Sequence, residues 1–324
     1  MLEVSRKDIL ETANRIAGQV ERTPLVEARV HGARLWLKCE CLQTAGSFKL
    51  RGATNRLVQL DDEQRRRGVV AFSSGNHARG VAIAARRLGI RATIVMPSDA
   101  PAVKVEGTRG EGAEIVFYDR ATEDRAAIAA GLAADLGATV VPSFDDAMIV
   151  AGQGSVGLEI LDQLAEAGEP PPTRIVVPTG GGGLASGIAL ACPEVEIICV
   201  EPAGWDDMRH SLELGHIVPV PTDAPPTLCD ALQTLRVSPI TFGILQRRGA
   251  IAVAVTEQDV ADAVRFAWAE HQLMVEPGGA VALAALLSGK VEAVAGTVAV
   301  LSGGNVDPTL HARIVSADQA TEVR

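Results

Sequence analysis

The sequence predicts an α/β protein built from two open parallel sheets with helices on both faces. Three observations lead there. Short β-branched runs alternate with longer, alanine- and arginine-rich amphipathic segments, so the apolar period switches repeatedly between strand and helix. The alternation runs once through the first half of the chain and resumes after residue 148, which argues for two sheets. Strand exits in both halves are rich in glycine and serine: "SSGNH" (73–77), "TGGGG" (179–183) and "LSGGN" (301–305), with "EPGG" (276–279) as a fourth candidate. Loops beyond the carboxyl ends of parallel strands are where such sheets bind ligands.

The elements follow in order. The opening "MLEVSRKDIL" mixes acidic and basic residues in an amphipathic pattern. It lacks an apolar h-region, so no secretory signal is expected. Cys39 and Cys41 lie two apart on a strand-like run and are expected on opposite faces, not as a metal pair. Behind the Gly46-Ser47 turn, Lys49 opens a helix between apolar Phe48 and Leu50. "GVVAFS", "ATIVMP", "AEIVFYD" and "ATVVPS" then read as strands, separated by "HARGVAIAARRLGI", a segment from Pro101, and "ATEDRAAIAAGLAADLG" as helices. In the second half "TRIVVPTGGGG" is a strand entering a glycine loop and "EVEIICVEP" is the next strand. "AIAVAVTEQDVADAVRFAWAE" is a strand followed by a Thr-capped helix with Gln258 at its third position, and "TVAVLSGGNVD" is the last strand with its exit. The proline-rich stretch Pro219 to Pro226 reads as a surface loop. Residues 1–52 with 146–324 are expected to form a large cofactor-binding domain, and 53–145 a small one closing over the substrate.

Composition narrows the function. With 324 residues, 47% of them hydrophobic, the chain can bury a large core. Net charge is -10, and the longest basic run is Arg65 to Arg67; nucleic acid and anionic membranes are poor partners for such a surface. No run of eighteen apolar residues occurs. The cysteines (Cys39, Cys41, Cys192, Cys199, Cys229) are odd in number and scattered. They read as buried thiols of a reducing compartment, so the cytoplasm is the expected location.

Three features carry chemistry on their own. Four consecutive glycines between a strand and a helix, Gly180 to Gly183, let backbone N–H groups converge on an anion. The loop lacks the Gly-Lys-Ser/Thr ending of a nucleotide P-loop, and its match to G-x-G-x-x-G is weak. A lysine near a phosphate cradle in a two-sheet protein suggests an imine with pyridoxal phosphate; otherwise Lys49 is a solvated surface charge. Glu201 and Asp207 lie six residues apart around a turn, with the Trp205 carbonyl between them. Oxygen ligands of this kind suit Mg²⁺, Mn²⁺ or Ca²⁺, or else the two acids favour a helix N-terminus.

Taken together and in order, "GSFKLRGA", "SSGNHARG", "VVPTGGGGLASG", "VEPGGA" and "LSGGN" resemble the fold-type II pyridoxal-phosphate enzymes, in particular the serine/threonine dehydratases and serine racemases. The likeness runs from "TPL" (23–25) to "LSGGNVD" (301–307). It implies that the cofactor lies in the cleft between the two domains. It implies that Lys49 is the Schiff-base lysine and Phe48 the residue beside the ring. Asn76 is placed at the cofactor's 3-oxygen, Gly180, Gly181, Gly182, Gly183 and Leu184 around its phosphate, and Ser302 at the pyridine nitrogen, with Glu276 also in the cofactor site. Ser73, Ser74, Asn76 and His77 would hold the substrate carboxylate. The resemblance to serine racemase puts the acid/base of the second face at Ser74, and Glu201, Trp205 and Asp207 at that enzyme's divalent-cation site. A homodimer is usual in such enzymes.

A serine at the pyridine nitrogen tolerates a neutral ring, which suits prompt β-elimination. The expected activity is conversion of L-threonine and L-serine to 2-oxo acid and ammonia. The alternatives are a metal-dependent serine racemase or a 3-hydroxyaspartate dehydratase. From other classes, a dinucleotide oxidoreductase or a non-catalytic cofactor-binding regulator would also use glycine loops. The chain departs from the family pattern at Cys229-Asp230-Ala231, where Ala-Asp-Gly is frequent, and at Arg79, where glutamine is common. Arg79 is expected to be a solvated charge. Arg125, on the small domain, is expected to be a surface charge; the alternative is contact with a second substrate carboxylate.

Overall fold

The computed structural model describes residues 4–73 and 75–316. Helix α1 (Arg6–Ile16) starts at a capping box in which Ser5 and Asp8 each bond the other's backbone N–H. Strands β1 (Leu25–Val30) and β2 (Ala33–Lys38) pair antiparallel. His31 and Gly32 between them have φ of 50° and 82°, the two positive values that a tight hairpin turn needs. This hairpin is an antiparallel edge on an otherwise parallel sheet, and its turn has no Asn-Gly or Asp-Gly signature.

Helix α2 (Lys49–Val58) begins at Lys49 itself. Helix α3 (Asp62–Arg67) leads into β3 (Val69–Phe72), then α4 (Asn76–Leu88), β4 (Ala92–Pro97), α5 (Ala102–Gly110), β5 (Glu114–Tyr118), α6 (Arg125–Leu136) and β6 (Thr139–Val140). These four strands form one parallel sheet in the order β5-β4-β3-β6. Val69, Ala71, Ile94 and Met96 face α2 and α4, while Val70, Val95 and Tyr118 face α6. Alternate residues thus enter cores on opposite faces, as a strand's two-residue period requires.

Helix α7 (Ala147–Glu166) is capped by the Asp146 carboxylate, which accepts from the Met148 and Ile149 amides. It returns the chain to the first sheet. There β7 (Arg174–Pro178), α8 (Gly183–Ala191), β8 (Glu196–Pro202), α9 (Asp207–Leu214), α10 (Pro239–Arg247), β9 (Ile251–Val255), α11 (Glu257–His271), α12 (Pro277–Leu287), β10 (Thr297–Val300) and α13 (Pro308–Ser316) follow. The strand order is β1-β2-β10-β7-β8-β9. Ile175, Val177 and Val298 pack towards α8; Val176, Ala299 and Leu301 pack on the opposite core with α11 and α12. The box that starts α11 closes between Thr256 and Asp259, not through Gln258, which precedes the third helical position by one.

One buried ionic network fixes α2 against its surroundings. Arg51, with no exposed surface, binds Glu40 at 2.8 Å and Glu159 of α7 at 2.6 Å; Lys38 binds Glu159 at 2.6 Å. Thr23 donates to Glu40 at 2.5 Å. Burial and the neighbouring Glu40 and Glu159 act on Arg51 in opposite senses, and the carboxylates win, holding its pKa above the ordinary value. Such an assembly tolerates no loss of one member, and it holds the helix that carries Lys49. All five cysteines are buried free thiols. Cys39 and Cys41 are not on opposite faces of a strand: β2 ends at Lys38, Cys41 sits in a 3₁₀ turn (Glu40–Leu42), and residues two apart on a strand would share a face in any case. Among the described residues no helix is long and apolar enough to cross a membrane.

Candidate active site

The chain order of the six-stranded sheet creates a crevice. From β7 the chain steps outward through β8 and β9, and β10 returns to the other flank of β7. Loops leaving β7 and β10 therefore diverge from adjacent positions, the place where open parallel sheets bind ligands. A cleft of roughly 1090 Å³ opens there, and the exits of β3 and the first turn of α2 reach into it from the four-stranded side.

Lys49 points into this cleft. Its Nζ donates to the Ser143 carbonyl at 3.0 Å and lies 5.1 Å from the centre of the Phe48 ring. No carboxylate partners it among the described residues. Part of its surface still meets the cleft, but burial lowers its pKa from 10.5 to about 8. Across the cleft, none of the backbone amides of residues 180–185 donates to an acceptor among the described residues. They end in the N-terminus of α8, so the loop presents unspent donors and a positive helix end. Gly182 has φ of 83°, and a Cβ on Gly181 would stand 2.3 Å from the Phe144 ring; glycine is a steric requirement at both places. Phe144, which packs on this loop, went unread in the sequence because nothing local marks it.

Asn76, the first residue of α4, donates to Glu276 Oε1 and accepts from Asn305 Nδ2 at 2.7 Å. Glu276 is fully enclosed, and its other oxygen has no partner. Burial raises its pKa to about 7, opposed by the Lys104 charge and reinforced by Asp230. Lys104 pairs with Asp230 across the cleft. Ser302 is buried at the cleft wall. Its backbone accepts from the Phe48 amide at 3.2 Å, and Ser47 bridges Gly303, so the Lys49 turn and the β10 exit are joined by backbone.

Ser73 and His77 also line the cleft. His77 bonds the Val141 carbonyl through Nε2 at 2.9 Å, and its buried Nδ1 has no partner. Burial, then the Lys49 charge, pushes its pKa down to about 3. It is therefore neutral, with the proton on Nε2. Ser74 lies outside the described residues. Arg125, at the start of α6, lies with its guanidinium 5.7 Å from the centre of the Phe72 ring and forms no ion pair among the described residues. Arg79 is not a solvated charge. It is half-buried on the inner side of α4 and donates to Asn305 Oδ1 at 2.8 Å.

Glu201, next to last in β8, is fully buried and accepts from the Met208 and Arg209 amides, each at 2.9 Å. Asp207, next to it, is buried with neither carboxylate oxygen partnered. Burial raises Asp207 to about 7; burial and the Asp207 charge raise Glu201 well above the carboxylate range. The Trp205 indole donates to the Pro225 carbonyl at 2.8 Å. No cluster of three or more His, Cys, Asp or Glu side chains suited to a metal occurs among the described residues.

The residues fit pyridoxal phosphate: a depressed lysine, a cradle of unspent amides that tolerates no Cβ at Gly181, and buried polar groups awaiting partners. Comparison with known proteins agrees. Residues 16–303 match the family described as "Pyridoxal-phosphate dependent enzyme". The chain is 41% identical to an L-threo-3-hydroxyaspartate ammonia-lyase of a Pseudomonas species, covering 96% of this chain and 98% of that one. It is 39% identical to an L-threonine ammonia-lyase of Thermotoga maritima, covering 97% and 78%. The solved structure of maize serine racemase superposes with a TM-score of 0.89 over 99% of both chains at 35% identity. The family match over most of the chain, these relatives and the common fold leave one reading: the chain belongs to the ammonia-lyase and racemase branch of the fold-type II pyridoxal-phosphate dependent enzymes.

Proposed function

We propose that the protein releases ammonia from small β-hydroxy α-amino acids, with Lys49 as the covalent anchor of the cofactor and the base of the reaction. The observation that carries this is the Lys49 amine, drawn to about 8 by burial and facing a loop of unspent amides. The amides of 180–184 would hold the phosphate, Asn76 the 3-oxygen, Ser302 the pyridine nitrogen, with Phe48 beside the ring and Glu276 behind Asn76. When bound, pyridoxal phosphate supplies the electron sink that makes an α-proton removable.

The chain's own groups do the rest. A lysine with pKa near 8 is neutral in a useful share of molecules at neutral pH, so it can accept the α-proton. Departure of the β-hydroxyl with a proton leaves an enamine, which tautomerises and hydrolyses to 2-oxo acid and ammonia. Ser73 and the N-terminal amides of α4 suit the substrate carboxylate. His77 offers only a lone pair at Nδ1, so it repels a carboxylate there and serves as a neutral wall. A serine hydroxyl at the pyridine nitrogen imposes no proton on it, which favours elimination over a long-lived carbanion.

Arg125 favours a dicarboxylic substrate. Its guanidinium, without an ion pair among the described residues, lines the cleft, and the Pseudomonas relative is named for 3-hydroxyaspartate. We therefore rank 3-hydroxyaspartate above L-threonine and L-serine, with serine racemisation through Ser74 as a side activity. The test is 2-oxo acid release and D-serine formation from these three amino acids by wild type, Lys49→Ala and Arg125→Met. Lys49→Ala should be inactive. Arg125→Met should lose turnover of 3-hydroxyaspartate selectively; equal losses on threonine refute the assignment of Arg125, and an active Lys49→Ala refutes the mechanism.

Glu201 and Asp207, with the Trp205 carbonyl, would take a divalent cation such as Mg²⁺, Mn²⁺ or Ca²⁺. The unpartnered, buried Asp207 carboxylate supports this, because a cation would relieve the cost of two adjacent buried acids. Mg²⁺ should then raise the melting temperature of wild type but not of Asp207→Asn; equal response of both refutes the site. We read residues 53–145 as a domain that closes over the substrate, with Lys104–Asp230 spanning the cleft, and the protein as a homodimer, which light scattering would test.

A further inference from the structure

Arg79 lies outside the proposed chemistry, yet it touches the site through a single amide. Its Nη1 donates to Asn305 Oδ1 at 2.8 Å. Asn305 Nδ2 donates to the Ala45 carbonyl at 2.8 Å and to Asn76 Oδ1 at 2.7 Å. Asn76 Nδ2 in turn donates to Glu276 Oε1. The direction of every bond in this chain is forced. A guanidinium can only donate, and a backbone carbonyl can only accept. Asn305 is gripped between one of each, so its oxygen must face Arg79 and its nitrogen must face Ala45. The nitrogen's second hydrogen then reaches Asn76, whose oxygen accepts it. What Asn76 turns towards Glu276 and the cleft is its NH₂.

Space confirms the arrangement. Asn305 Oδ1 occupies the position where a Cβ on Gly46 would sit, 2.2 Å from it, and Gly46 has φ of 70°. Glycine at 46 thus both turns the chain into the Lys49 helix and makes room for the relay. Arg79 keeps Nε buried without an acceptor, so stability alone does not explain the placement of this side chain.

We propose that Arg79 and Asn305 are positioning residues: together they fix the polarity of the Asn76 amide, so that this residue offers a donor to the cofactor's oxygen substituent. The proposal rests on the reading of Lys49 and the glycine loop as the cofactor site. With the relay intact the donor is set before any ligand arrives, and no rotamer search is needed on binding. Were Asn76 reversed, its oxygen would meet the cofactor's anionic oxygen, acceptor against acceptor.

The decisive variant is Asn305→Asp. It still accepts from Arg79, now as an ion pair, but donates to neither Ala45 nor Asn76. Asn76 must turn its NH₂ to the new carboxylate and its oxygen inward. Pyridoxal phosphate titrated into each apoenzyme and followed by visible absorption gives the dissociation constant; thermal melting of the apoenzyme gives stability. Asn305→Asp should bind about tenfold more weakly, with a melting temperature close to wild type. Arg79→Lys, still donor-only, should stay within about threefold. Arg79→Glu, acceptor-only, should weaken binding like Asn305→Asp. Unchanged affinity in Asn305→Asp overturns the relay, as do losses that merely follow melting temperature across the series. Borohydride reduction of the wild type separates the two readings. If Lys49 is labelled while the variants bind normally, only the relay fails; if wild type takes up no cofactor, the site assignment fails and the relay with it.

Discussion

The pH at which the apoenzyme captures its cofactor tests the central residue directly. Only a neutral amine attacks an aldehyde, so capture follows the unprotonated fraction of Lys49. An ordinary lysine, with pKa 10.5, is neutral in about 0.03% of molecules at pH 7. Burial lowers Lys49 to about 8, which makes roughly 9% neutral, an increase of about 300-fold. The sign is that of a buried cation: desolvation disfavours the charged form, and no carboxylate opposes it. The assay mixes apoenzyme with excess pyridoxal phosphate in a stopped-flow instrument and follows the visible band from pH 6 to 10. The phosphate's own second ionisation, near pH ~6 for such esters, falls below the window that matters. The capture rate should rise tenfold per unit up to about pH 7.5, bend near 8 and be flat above 9. A rate still climbing tenfold per unit at pH 9.5 would mean that Lys49 titrates as a solvated amine, and the argument from burial would fail.

Two further outcomes follow from the same geometry. In Gly181→Ala the new Cβ meets the Phe144 ring at 2.3 Å; cofactor affinity should fall by about tenfold or more and recover in the Gly181→Ala/Phe144→Ala double variant, and equal losses in both backgrounds would refute the steric cause. Glu276, raised from 4.5 to about 7 by burial, prefers its protonated form when folded. The unfolded chain therefore ionises first: the cost to the fold is absent below pH ~4.5, grows as pH rises, and is complete above about 7, at roughly 3 kcal/mol. Glu276→Gln removes that titration, so urea unfolding of the apoenzyme should show a gain over wild type at pH 8 that vanishes at pH 4; a gain of the same size at both values would exclude the linkage.

Much of the architecture was legible because it is local. Short β-branched runs such as "ATIVMP" became strands, here β4, and the glycine stretch 180–183 became the entry to α8. Lys49 was read at the start of a helix, and α2 begins on it. The β1–β2 hairpin was not anticipated, because its turn uses a histidine at φ 50° rather than asparagine or aspartate. Cys41 was misplaced because the strand ends at Lys38 and Cys41 lies three residues further on, in a 3₁₀ turn. The larger gap concerns partners far apart in sequence. Arg79 and Asn305 are separated by 226 residues, Asn76 and Glu276 by 200. No periodicity reports such a pair, and an arginine on a helix is by default a solvated one. Phe144 is silent for the same reason: only the folded loop reveals that its ring fills the space a Cβ on Gly181 would need.

The position of β10 gives the site an order of assembly. This strand comes last in the sequence yet lies between β2 and β7, in the middle of its sheet. Its arrival supplies the Lys38 carbonyl with the Leu301 amide at 2.9 Å, the Cys41 amide with the Leu301 carbonyl at 2.9 Å, and the Phe48 amide with the Ser302 carbonyl at 3.2 Å. The turn that carries Lys49 therefore has its backbone partners only after β10 has docked, whereas the glycine loop belongs to β7 and α8 and needs no such arrival. Insertion of a late strand into the sheet's centre is a long-range step that follows local helix formation. Pulsed hydrogen exchange during refolding should find the Phe48 amide protected no earlier than that of Leu301. Protection of Phe48 while Leu301 still exchanges would show that the lysine turn forms independently of the last strand.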